Sequence, residues 1–304
     1  MGPEPNRLMK ILPEASAKAF VAACLAELEA PKAGNVHRFA PGHGMSAEDF
    51  VLSAKASAEP LTRAGARVGA RVRNAVAATL TAVGQNTNLG ILLLCAPLAA
   101  AAERDEDRLR DALVATLEDL DRDDASSVFA AIVAANPAGL GESARHDVRA
   151  PADVTLREAM AEAEGRDRIA RQYVTAYKDI FALGLPALGE ARERSDDPKW
   201  ATLAVYLVYL TTAPDTHIAR KFGSGTAEAV RREAEFWRKA LDAADDPTLL
   251  LDGLLEWDAS LKTRGLNPGA SADLTVATLF ADSLERMRGD KPQANILPRR
   301  ANND

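Results

Sequence analysis

Residues 14–30 read EASAKAFVAACLAELEA, and their spacing decides the fold class. Phe20, Val21, Cys24, Leu25 and Leu28 recur at helical intervals, and Pro31 ends the run. The same mixture of alanine, leucine and charge continues along the chain. Apolar residues make up 47%, charged residues 27% and aromatics only 5%, so a sizeable core is available and strand-forming runs are scarce. Alanine and leucine lose little rotamer freedom in a helix. Further helices are predicted from Ser46, a good N-cap followed by Glu48 and Asp49, to about Ala64, and over 68–82, 91–102, 106–120 and 125–135. Thr155 and Glu158 form a capping-box pattern, 167–181 is strongly periodic, and 197–211, 226–243, 247–261 and 271–288 follow. Pro97 should kink or split the helix over 91–102. The expectation is an all-α, single-domain bundle of about a dozen helices over residues 13–288, with a polar pocket formed by interhelical loops. A flexible N-terminus (1–12) and a disordered tail (289–304) flank it.

The net charge of −7 gives no general attraction to nucleic acid or to anionic membranes, so a bound anion needs a local cluster of cations. Cys24 and Cys95 lie in apolar helical stretches and read as buried free thiols. With no CxxC pair, neither a thiolate zinc site nor a redox motif is supported. Residues 1–10 lack the apolar run of a signal peptide. The longest apolar run, Leu89 to Ala102, is shorter than the roughly 20 residues of a membrane span and carries Pro97. The chain therefore reads as cytoplasmic.

The residues a helical bundle does not need are the informative ones. All four histidines, His37, His43, His146 and His217, fall in predicted loops or at helix ends. Residues 31–38 (PKAGNVHR) offer Lys32 and Arg38 around Gly34. Gln85, Asn86, Thr87 and Asn88 lead into a helix, where free N–H groups favour a phosphate. Residues 214–221 (PDTHIARK) place Asp215 near a helix start, with Arg220 and Lys221 about one turn on, and 266–273 put small residues at another helix start. If these loops converge, Lys32, Arg38, Arg220 and Lys221 supply cations, and Asp147, Asp167, Asp215 and Asp273 supply carboxylates. Such a set suits a polyphosphate carrying Mg²⁺. Taken singly, each loop is equally well explained by capping and turn chemistry, and Asp167 with Arg171 by a plain i, i+4 surface pair.

The segments PKAGNVHR (31–38), GQNTNLG (84–90), PAGLG (137–141), HDV (146–148), RDRIARQY (166–173), PDTHIARK (214–221) and LNPGASADL (266–274) occur in this order. Together they resemble the triphosphoribosyl-dephospho-CoA synthase family, from about Glu14 to Leu284. The resemblance implies an all-α fold and a Mg²⁺-dependent transfer, in which a ribose hydroxyl of dephospho-CoA displaces adenine from the anomeric carbon of ATP. It places Lys32, Arg220 and Lys221 on phosphates, and Asn86, Thr87 and Asn88 by the ribose or a phosphate. Gly34, Asn35, His37, Arg38, Asn267 and Ser271 join the substrate-binding set. Asp147 and Asp215 are expected as metal ligands or base, Asp167 as a further metal ligand, and His146 and His217 as catalytic partners.

There are departures. Lys32-Ala33-Gly34 stands where the citrate-lyase branch has Lys-Pro-Gly, His43-Gly44-Met45 lacks that branch's acid, and Asn86-Thr87-Asn88-Leu89-Gly90 lacks its His and Lys. The last form is similar to the branch of archaea and of tetrahydromethanopterin-using bacteria. That leaves open a pterin-type acceptor with another ribosyl-phosphate donor, such as phosphoribosyl pyrophosphate, and a non-catalytic nucleotide-binding helical protein. Alanine-rich helices pack within one chain or between two, which leaves a homodimer open.

Overall fold

A computed structural model describes residues 11–137 and 146–289. The N-terminus before residue 11, most of the PAGLG loop and the polar tail past Gly289 lie outside the described residues. The described chain forms fourteen α-helices. They are α1 (Pro13–Glu29), α2 (Ala47–Thr62), α3 (Val68–Val83), α4 (Leu89–Ala101), α5 (Leu109–Glu118), α6 (Arg122–Ala135), α7 (Leu156–Ala163), α8 (Arg168–Thr175), α9 (Leu185–Arg194), α10 (Pro198–Thr212), α11 (Thr216–Phe222), α12 (Ser224–Ala243), α13 (Leu251–Thr263) and α14 (Gly269–Arg288). A π-helical turn (Ile180–Gly184) runs into α9, and a 3₁₀ turn (Pro247–Leu250) runs into α13. Among the described residues there is no strand, only two isolated bridges within 37–45. The expected all-α single-domain bundle is what forms.

α4 is apolar all round, and such a helix belongs at the centre of a bundle. Eleven of its thirteen residues are buried. It packs on α3, α5 and α14, and α14 in turn lies against α1 and α10. On one side α2 and α3 pair, with α6 behind α3; on the other, α9 and α12 cover α10. One continuous core of small and branched apolar side chains joins these layers, and it includes both free thiols, Cys24 and Cys95.

One helix stays unsplit and another ends early, each for a physical reason. Pro97 does not split α4. Proline removes the N–H that would bond the carbonyl four residues earlier, which is Leu93. Tyr173 Oη donates to Leu93 O instead (2.6 Å), and Tyr177 Oη donates to Leu94 O (2.9 Å). The helix expected over 167–181 stops at Thr175. Ala176 and Tyr177 adopt left-handed φ of 48° and 56°, a conformation that costs a non-glycine residue about 1–3 kcal/mol and persists only when its surroundings over-determine it. They do so here: Tyr177 is tied to α4, and Asp179 Oδ2 accepts from Arg168 Nε (2.8 Å) and Gln172 Nε2 (3.2 Å). The caps are as expected. Ser46 with Asp49 and Thr155 with Glu158 form reciprocal capping boxes. No helix among the described residues is long and apolar enough to cross a membrane.

Candidate active site

The polar loops converge. Gly34 has φ +80°, and a Cβ there would stand 2.8 Å from Leu266 O and 2.8 Å from Pro268 Cδ. Only glycine lets loop 31–38 press on loop 266–268 this closely. Gly34 N donates to Asp258 Oδ1 of α13 (2.8 Å), and Asn35 Nδ2 donates to Asn267 Oδ1 (2.8 Å), which locks loop 31–38 to α13 and to loop 266–268. Asp215 ties in a third. Its Oδ1 accepts from His217 N (2.9 Å) and Ile218 N (3.3 Å), and its Oδ2 accepts from Ser271 N and Oγ (2.8 Å each). Gly269 admits His217, whose Nδ1 would lie 2.4 Å from a Cβ at that position.

Between these loops and the starts of α4, α8, α11 and α14 lies a cavity of about 820 Å³, large enough for a nucleotide-sized ligand. Of the sequence-predicted residues, Asn35, Asn86, Thr87, His146, Asp147, Asp167, His217, Arg220, Asn267 and Asp273 line it, Asp273 from α14. Asp167 Oδ1 caps α8 by accepting from Ile169 N (2.8 Å) and Ala170 N (3.3 Å), and its Oδ2 faces Arg220 Nη1 (3.3 Å), so its ion-pair partner is Arg220 and not Arg171. His146 Nδ1 lies 2.9 Å from Asp153 Oδ1.

The other expected residues do not line the cavity. Lys32 is fully buried, and its Nζ donates to Glu27 Oε1, to Asn35 Oδ1 (3.1 Å) and to Val36 O (2.9 Å), so its three protons are spent on protein. His37 is buried with Nε2 3.3 Å from Asp258 Oδ2, at an angle poor for a hydrogen bond. Arg38 pairs on the surface with Glu29 (2.5 Å). Asn88 is buried between Thr79 and Ser57. Lys221 is exposed and lies over the Phe222 ring. Asp215, expected as metal ligand or base, is buried with both oxygens doubly occupied, and Ser271 is buried as its donor.

The cavity also holds groups that sequence reasoning left out of its site. Arg166 and Arg171 line it from the start of α8. Gly90 and Ile91 line it at the start of α4, and among the described residues their N–H groups have no acceptor. Glu27 lines it from α1. Burial raises the Glu27 carboxyl and lowers the Lys32 ammonium, while each opposes the shift in the other. Three oxygens surround the Lys32 nitrogen, an arrangement that a protonated ammonium satisfies in full and that favours the ion pair. The one available signal for Glu27 was an acid on the apolar face of α1, three residues from Cys24 and one from Leu28. His217 is pushed down by burial first, then by Arg220 and Lys221 against the pull of Asp215, so its ring is neutral near pH 7. Nowhere among the described residues do three His, Cys, Asp or Glu side chains gather as a ready metal cage.

Fold and cavity thus define an all-α protein with a cavity lined by arginines, carboxylates and amides at converging helix starts. Residues 13–292 match the ATP:dephospho-CoA triphosphoribosyl transferase (CitG) family, and the chain belongs to that family. It is similar to a candidate 2-(5''-triphosphoribosyl)-3'-dephosphocoenzyme-A synthase of Pseudomonas fluorescens, 29% identical over 234 residues that cover 74% of this chain and 69% of the relative. Its fold matches the crystal structure of a candidate triphosphoribosyl-dephospho-CoA synthase from Archaeoglobus fulgidus, with TM-score 0.59 and 22% identity over 78% of this chain and 98% of the other.

Proposed function

We propose that this chain transfers the triphosphoribosyl group of ATP to a ribose hydroxyl of dephospho-CoA and releases adenine. Family membership supports this reading over a pterin-type acceptor or a non-catalytic module. The observation that carries it is the joining, in one cavity, of unpaired α4 N–H groups, the arginines Arg166, Arg171 and Arg220, and several carboxylates. Gly90 N–H, Ile91 N–H, Arg166, Arg171 and Arg220 receive the triphosphate, since helix N-termini and guanidinium forks suit phosphate oxygens. Asn86, Thr87, Asn35 and Asn267 hold the ribose, and His146 contacts the acceptor.

Mg²⁺ fits this donor set. It is ordinarily held by one or two carboxylates together with substrate phosphates and waters. Asp147 and Asp167 both line the cavity and would hold the ion carried in on the triphosphate, where it would neutralise phosphate charge. His217, neutral and cavity-facing, takes the proton of the attacking hydroxyl. Asp215 fixes His217 by capping its helix and tying it to α14.

The test is chromatography with mass detection of a reaction containing ATP, Mg²⁺ and dephospho-CoA. Adenine and triphosphoribosyl-dephospho-CoA should form in equal amounts. A protein that ATP stabilises against heat, yet that releases no adenine, would overturn the reading.

A further inference from the structure

We propose that Asp273, as a neutral carboxylic acid, donates the proton that the departing nucleobase needs. This rests on the transfer reading above. Purine bases leave a ribose poorly as anions, so an acid must meet the ring as the C1′–N bond opens.

Asp273 is placed for it. It stands in the first turns of α14, half-buried, and opens on the cavity. Its carboxyl lies directly over Gly90, where a Cβ would come within 2.0 Å of Oδ2 and 2.6 Å of Cγ. The absence of a side chain at Gly90 creates the space this carboxyl occupies. Among the described residues nothing donates a hydrogen bond to it. Among the described residues the other buried acids are all partnered. Asp215 has four donors, Asp258 has Gly34 N and Lys262, Asp124 has Gly69 N and Arg67, Asp179 has Arg168 and Gln172, and Glu27 has Lys32. A carboxylate left without donors in such a site is unfavourable, and the group keeps its proton instead. Burial, then the charges of Glu27, Asp215 and Asp167 against the weaker help of Arg220, push Asp273 well above the usual carboxylate range.

Two carboxyl groups of opposite state therefore face one cavity. Glu27, charged through Lys32, supplies negative charge to the ribosyl cation, and Asp273 supplies the proton; environments that split two acids in this way commonly assign the roles of charge and acid. In the step, the C1′–N bond breaks and its electron pair leaves with the base. The Asp273 proton moves to a ring nitrogen, so neutral adenine departs. The acceptor oxygen bonds C1′ and gives its proton to His217. Solvent then returns a proton to Asp273 and removes one from His217, so the net change is one proton moved from the hydroxyl to the base.

The experiment compares wild type with Asp273→Asn, which keeps the shape and removes the acid. Turnover of ATP should fall by about 10²–10⁴, the worth of a positioned general acid, with ATP binding unchanged. N7-methyl-ATP carries a fixed positive charge on its base, which departs without a proton. On that donor the variant should turn over as fast as wild type. A difference infrared spectrum, wild type minus variant at pH 7, should show the carbonyl band of a protonated acid. Unchanged ATP turnover in the variant, no rescue by the methylated donor, or only carboxylate bands would each overturn the role of Asp273. A wild type that shows the acid band but releases no adenine would overturn the transfer reading, and this role with it.

Discussion

Asp215 and Asp273 bracket the same junction of α11 and α14, and they are opposites. Asp215 accepts two backbone N–H bonds from α11 and two bonds from Ser271, and it lies off the cavity. Asp273 lies two residues beyond Ser271, accepts none among the described residues, and opens on the cavity. Both have the residue type and the setting of a catalytic acid. The number of donors each meets is what separates them. A carboxylate saturated by donors is rigid scaffolding, because buried polar groups are stable only when satisfied. A carboxyl without donors stores proton-transfer capacity at a cost in stability.

The largest expected effect probes the charged partner in this contrast. Lys32→Met should strand Glu27 as an unpaired buried charge and destabilise the fold by about 3–5 kcal/mol in urea titration. A loss below about 1 kcal/mol, the worth of an ordinary neutral hydrogen bond, would mean that Glu27 is not ionised, and the split between it and Asp273 would collapse. Next in size is Asp215→Asn. The amide must turn an NH₂ toward either the α11 N–H groups or Ser271, leaving donors facing donors, at about 2 kcal/mol. Helical circular dichroism should persist while the urea midpoint falls. A midpoint unchanged from wild type would mean that the α11–α14 junction does not depend on this residue.

Most helices were legible because their signals are local. Ser46 and Thr155 cap the helices they were expected to cap, and the apolar spacing of 14–30 becomes α1. The misreadings lie where distant groups decide. Pro97 stays inside a helix while Tyr173, 80 residues beyond Leu93, bonds the freed Leu93 carbonyl, and periodicity within 89–102 carries no trace of that. The end of α8 depends on Tyr177 and Asp179 meeting α4 and Arg168. The site divides in the same way. The loops that build it were visible as clusters of glycine, asparagine and charge. Which way a side chain points was not. Lys32 has the look of a phosphate ligand and turns inward to Glu27. Glu27 stands on the apolar face of α1, three residues after Cys24, but nothing in that spacing tells that its partner is Lys32.

The smallest effect is the sharpest test of the comparison, because Asp273→Asn should move stability the opposite way from Asp215→Asn. The Asp273 carboxyl ionises higher in the folded chain than in the unfolded one, where aspartate titrates near about 3.9. Between those two points the folded state binds a proton that the unfolded state has released, so unfolding free energy falls as pH rises through that window. The contribution is whole below the unfolded value and lost progressively above it. Asparagine has no such dependence. The variant should therefore gain on wild type steadily from pH 4 to pH 7 when thermal midpoints are compared, while His37 and His217, both depressed by burial, cancel because they are common to the two proteins. A variant that is both more stable at pH 7 and slower with ATP would place Asp273 among groups kept for reactivity at a cost in stability. A variant less stable at every pH would place it with Asp215 as scaffolding.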